Sequence, residues 1–139
     1  ETWYEAAEIP GKLRIDVAPL DSMKTILFRA DSIYQYDQGK INASQPMIHP
    51  LMVLGFDVYA QPVSRSAAKL ASLGFDLGKV REDTWQGRKS WVVGNIQPDS
   101  LSREFWVDQE RLVFVRMIQS APRKNAPGKQ NIGEIQFNK

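Results

Sequence analysis

Few side chains of this 139-residue chain are equipped for chemistry. Its one histidine, His49, precedes Pro50 at what reads as a helix start, which suits a capping or exposed ring better than a general base. With one His and no Cys there is no multi-histidine metal set, no thiolate nucleophile and no disulfide. Ser64, Ser66 and Ser72 lack the strand–turn–helix setting of a nucleophile elbow. Asp76, Glu82, Asp83 and Asp108 scatter to turns and strand ends, where solvated surface is a simpler reading than a glycosidase-like pair. No Gly-rich phosphate loop or calcium loop is present. We expect no enzyme, no cofactor and no metal centre.

Aromatic side chains beside cations raise nucleic acid as a partner, since Trp3, Tyr34, Tyr36, Trp85, Trp91 and Trp106 could stack bases. The net charge is only +2 and the cations do not gather on the same strands, so no nucleic-acid partner is expected. The one basic cluster, Arg123-Lys124-Asn-Ala-Pro-Gly-Lys129, reads as a solvated loop.

What remains is apolar recognition. Sheltering about ten methylenes yields on the order of 8 kcal/mol before ordering costs and requires no exact polar geometry. The candidate lining is Leu13, Ile15 and Phe28 from the first third of the chain, then Leu51, Met52, Leu54 and Phe56 from the middle. Trp91, Phe105 and Phe114 complete it from the last third. Each of these residues also fits an ordinary core, and both readings stay open. Met52 adapts to chains of different shape, but Met fills plain gaps as well.

The elements that must position these residues are organised around Pro46 to Phe75. Pro50 suits the first helical position, and Leu51, Met52, Val53, Leu54 and Phe56 are apolar on every side. A second helix has Ser64 as N-cap, Ala67, Leu70, Ala71 and Leu73 as its apolar line, and Gly74 as its stop. Strands lie on both sides. Lys12 to Val17 alternates strictly, with Leu13, Ile15 and Val17 on one face. Gln38-Gly39 and Gln86-Gly87 mark hairpin turns. Arg103 to Asp108 and Leu112 to Ile118 are apolar on both faces, with Leu112, Phe114 and Ile118 opposing Val113, Val115 and Met117.

The pattern predicts an α+β fold in one domain over 1–139: a meander over 1–45, a helical lid over 46–75 and a meander over 77–139. The sheet is expected to curve around the two central helices as an incomplete β-barrel. Composition is ordinary for a globular domain, with 42% hydrophobic and 24% charged residues and no run able to cross a bilayer. Both ends are strand-like, which reads as a piece of something longer with any targeting segment elsewhere.

The order meander, helices, meander resembles the bacterial lipoprotein-carrier family, the LolA/LolB-like proteins and their outer-membrane lipoprotein-sorting homologues. So does Trp85-Gln-Gly-Arg-Lys-Ser-Trp-Val-Val-Gly94 followed by Glu104-Phe-Trp-Val-Asp-Gln-Glu-Arg-Leu-Val-Phe-Val-Arg116. The resemblance implies a half-barrel closed by helices over a cavity that takes a lipid or lipoprotein acyl chain, in the periplasm or at the outer membrane. The family's opening helix and its first and closing strands are missing from this chain. Open sheet edges would then pair two copies into a homodimer. The competing expectation is a protein-interaction or sensory module of the envelope with the same fold and no ligand.

Overall fold

The computed structural model describes residues 1–98, 102–122 and 128–137. Residues 123–127 of the expected basic loop lie outside them. In chain order the elements are β1 (Trp3–Glu8), β2 (Lys12–Val17), β3 (Lys24–Arg29), β4 (Ser32–Asp37), β5 (Lys40–Pro46), α1 (Pro50–Gly55) and α2 (Val63–Ser72). They continue with β6 (Val80–Trp85), β7 (Arg88–Val93), β8 (Glu104–Asp108), β9 (Phe114–Pro122) and β10 (Gln130–Gln136). The fold is α+β, with two short helices and two open antiparallel sheets, β1 to β5 and β6 to β10, each a meander of sequence neighbours. The sequence predicts one curved sheet. The strands form two, because a meander grows by hairpins and both helices intervene between β5 and β6. The chain divides into two compact units, Glu1–Lys69 and Leu70–Lys139.

In the N-terminal unit, hairpin chemistry sets the register. Gln38 and Gly39 both take positive φ, 49° and 72°, the paired left-handed turn whose twist matches the flanking strands. Ala30 and Asp31 do the same at 51° and 54° without a glycine to announce it. The register sets Leu13 opposite Phe28, Ile15 opposite Ile26 and Phe28 opposite Ile33, so the apolar residues of three strands share a face. On the other face Arg14 pairs with Asp16 at 2.9 Å, and Thr25 donates to Asp16 at 2.6 Å.

The helical segment is tied to one end of that sheet. Buried Asp57 accepts the Gly11 N–H of the β1–β2 turn at 2.8 Å, and Lys69 forms an ion pair with Asp31 of the β3–β4 turn. α2 starts at Val63, a residue before the expected cap. The Pro62 carbonyl accepts from the Arg65 and Ser66 N–H groups, so Ser64 sits in the first turn. Past its end Gly74 takes φ 87°; its N–H reaches the Ala71 carbonyl and the Phe75 N–H reaches that of Leu70, a Schellman closure with Phe75 and Leu70 buried.

His49 caps α1 as its position suggests. Nδ1 accepts the Leu51 N–H at 3.2 Å, and the ring meets Phe28 edge-on at 5.2 Å. Burial pushes its pKa below the ordinary 6.5. An unfolded chain takes up this proton near 6.5 while the folded chain resists to lower pH. The unfolded state therefore binds more protons in that window, and stability falls as pH drops through it. We predict that this group lowers stability as pH drops from 7.5 to 5.5. His49→Asn, a cap that does not titrate, should flatten this part of the stability profile in denaturant melts. An unchanged slope would contradict the assignment.

In the C-terminal unit Gln86 and Gly87 repeat the paired left-handed turn, at φ 49° and 78°. The buried residues include Leu70, Phe75, Val92, Phe105, Trp106 and Met117, with Phe75 edge-on to Phe105 at 5.3 Å. The expected alternation along β9 breaks. Trp106 pairs with Arg116 but Val107 with Phe114, so β9 carries an extra residue at a β-bulge, and Phe114 and Ile118 do not continue one regular face.

Candidate functional site

Cation–π stacking and a buried ion pair organise the face of the second sheet that carries Trp85, Trp106 and Arg116. The Arg116 guanidinium lies 4.5 Å from the Trp85 ring and 4.4 Å from the Trp106 ring, and Glu134 accepts from its Nε at 2.6 Å. Arg81 sits 5.6 Å from the Trp106 ring and pairs with buried Glu104 at 2.7 Å. Two of the six tryptophans and tyrosines that could have stacked bases are thus engaged by cations of the same unit.

At the turn end of this face the register gathers a polar row. Trp85 stands opposite Arg88, while Ser90 stands between Asp83 and Asp108 on its two neighbouring strands. Asp108 organises the β8–β9 turn, its Oδ1 accepting the Glu110 and Arg111 N–H groups at 2.9 Å each. The Arg111 N–H chiefly, then the Glu110 N–H and Arg88, hold its pKa below the ordinary carboxylate value against the opposing effect of burial. Arg88 approaches Asp108 only loosely, at 3.4 Å.

Beside this row lies a pocket of about 240 Å³. Trp85, Arg88, Ser90, Asp108 and Arg111 border it on the polar side, and Val113, Phe114, Val115 and Phe137 supply an apolar wall. Phe114 and Phe137 meet edge-on at 5.4 Å. Two residues of this lining hold a buried polar atom without a hydrogen-bond partner, Ser90 its Oγ and Trp85 its Nε1, and Ser90 is 0% exposed. Buried polar atoms are nearly always satisfied, and leaving one unpaired costs about 1–3 kcal/mol. The strain falls beside the open space.

The ten predicted lining residues separate. Leu13, Ile15 and Phe28 share a sheet face in the N-terminal unit, and Leu51, Met52, Leu54 and Phe56 belong to α1 and its end. Between Phe28, His49, Met52 and Val53 the pocket measures only about 20 Å³, room for one water and not for a chain. In the C-terminal unit Phe105 is buried against Phe75, Trp91 is 38% exposed, and Phe114 alone of the ten borders the larger pocket. Sequence reasoning missed Arg88, Ser90, Arg111, Val113, Val115 and Phe137 there. The available signal was the Gln86-Gly87 turn: it fixes Arg88 across from Trp85, and alternation then turns Ser90 to the same side.

Two of the residues weighed for catalysis make polar contacts within their own units. Ser66 accepts from Gln61 at 2.9 Å, and Asp76 pairs with Lys79 at 3.1 Å. Among the described residues no group of His, Asp or Glu is arranged to hold a metal ion. No family model matches the chain, and neither curated proteins nor solved structures give a match.

Proposed function

We propose that this protein binds a small hydrophobic ligand without transforming it, at the turn end of the second sheet. The observation that carries this reading is the 240 Å³ pocket, apolar along Val113, Phe114, Val115 and Phe137 and edged on its polar side by Arg88, Asp108 and Arg111. Its volume equals that of about eight liquid waters, so it accepts a short chain or the end of a longer one. Burying about six methylenes contributes about 5 kcal/mol before ordering costs, which limits a neutral chain to a Kd no tighter than roughly 0.2 mM. A lipid or lipoprotein acyl chain, a half-barrel arrangement and a place in the bacterial envelope are what the LolA/LolB-like resemblance adds to this proposal.

Native mass spectrometry of the gently purified protein, followed by organic extraction, tests the reading. Bound mass that extracts as lipid or another amphiphile, and that is lost in Val113→Asp and Phe137→Asp, is the expected result. Both positions are partly exposed, 38% and 47%, so the substitutions do not place a charge in the core. Retained ligand in both folded variants would contradict it.

A second reading rests on the sheet edges of the N-terminal unit. β1 and β5 are exposed along their whole lengths, and Trp3, Tyr4 and Ile41 are 52%, 54% and 61% exposed. Such edges suit strand addition by a partner protein or a second copy. A mass that rises with concentration in sedimentation equilibrium, and falls back when Tyr4 is replaced by Lys, would favour this reading.

A further inference from the structure

We infer that the ligand of the C-terminal pocket carries a single carboxylate on its short apolar body; the inference rests on the proposed binding of an apolar ligand there. The polar edge of the pocket carries more positive than negative charge. Arg88 and Arg111 supply guanidinium groups, and Gln86 is a neutral amide. The one carboxylate at the edge, Asp108, has Oδ1 occupied by two backbone N–H groups and Oδ2 facing Arg88. Arg88 spends one long contact of 3.4 Å on it, and Arg111 makes no ion pair among the described residues.

Two arginines against one aspartate leave the edge with one positive charge to match. A monoanion neutralises it. A carboxylate is acceptor-only, and its two oxygens fit the planar guanidinium fork. The rest of the 240 Å³ is bounded by Val113, Phe114, Val115 and Phe137, which offer a head group nothing and an alkyl or aryl body a dry wall. Head and body requirements meet in one molecule: a short-chain or aromatic monocarboxylic acid, or the carboxylate end of a longer amphiphile.

The test is a titration of the full chain, read by tryptophan fluorescence because Trp85 borders the site, with hexanoate, 1-hexanol and acetate at constant ionic strength and pH 7. Hexanoate should bind at least tenfold more tightly than hexanol or acetate. Arg111→Gln, at an exposed position, should weaken hexanoate several-fold and leave hexanol unchanged. Trp85→Phe should remove most of the signal while calorimetry still detects binding. Equal affinity for hexanoate and hexanol, indifferent to Arg111→Gln, would overturn the carboxylate and leave an apolar site standing. Acetate binding as well as hexanoate would overturn it by making the apolar wall irrelevant. Binding of none of the three would overturn the pocket reading and the inference together.

Discussion

Gly94→Ala should cost the C-terminal unit about 4 kcal/mol or more, the largest loss expected from any single methyl group in this chain. A Cβ at Gly94 would clash with the Arg103 carbonyl oxygen and lie 3.0 Å from the Glu104 Cα. Both are backbone, so no side chain can swing aside; the start of β8 must move. The Gly94 N–H donates to the Lys79 carbonyl at 2.8 Å, so displacing Gly94 instead strips an anchor from the residue that leads into β6. Its φ of 122° adds a conformation that side chains rarely adopt. Gly87→Ala is the matched control. Its φ is also positive, 78°, but nothing lies within 4 Å of the added Cβ, so only the conformational cost of about 1 kcal/mol applies. Chemical denaturation followed by tryptophan fluorescence should separate the two. Equal losses would show that close approach at Gly94 is not what that position is for.

Glu104→Leu should lose about 3 kcal/mol, at the lower end of what breaking a buried ion pair costs. Glu104 and Arg81 side chains are 2% and 10% exposed and meet at 2.7 Å. Removing the carboxylate leaves the guanidinium in place, with the Asn95 carbonyl at 2.9 Å, Asp83 at 3.7 Å and the Trp106 face as its remaining partners. Those partners keep the loss from the upper end. The double variant Arg81→Met with Glu104→Leu should recover most of it, since replacing both charges by apolar groups removes the stranded cation. Additive losses in a double-mutant cycle would mean that the two groups do not act as a pair.

The legible part of the fold was local. Strict alternation at Lys12–Val17, glycines at the second position of two hairpin turns, and proline after histidine at a helix start each name an element by one physical rule. Ala30-Asp31 makes the same turn as Gln38-Gly39 with no glycine, so only the strand pairing reveals it. The β9 bulge was illegible for a similar reason. A run of apolar residues from Leu112 to Ile118 fits either phase of a strand, and pairing with β8 decides where the extra residue falls. The division into two sheets is not legible in the sequence, because periodicity speaks of faces within a strand and is silent on which strands share hydrogen bonds.

The candidate site was less legible still. Large apolar residues such as Met52 and Phe105 stand out in the sequence but are packed away by the fold, while the pocket draws on Ser90, Arg88 and Arg111, unremarkable in isolation. What makes them a site is the combination of open volume with a charged edge, and neither property exists before the strands pair.

The most direct measurement of the central claim is a nitrogen–proton shift titration of the isotope-labelled full chain with 1-hexanol. The account predicts saturable shifts led by the Trp85 indole N–H and the Val113, Phe114 and Val115 amides, with a midpoint no tighter than roughly 0.2 mM. Saturable shifts that spare these four groups, or none that saturate, would contradict it.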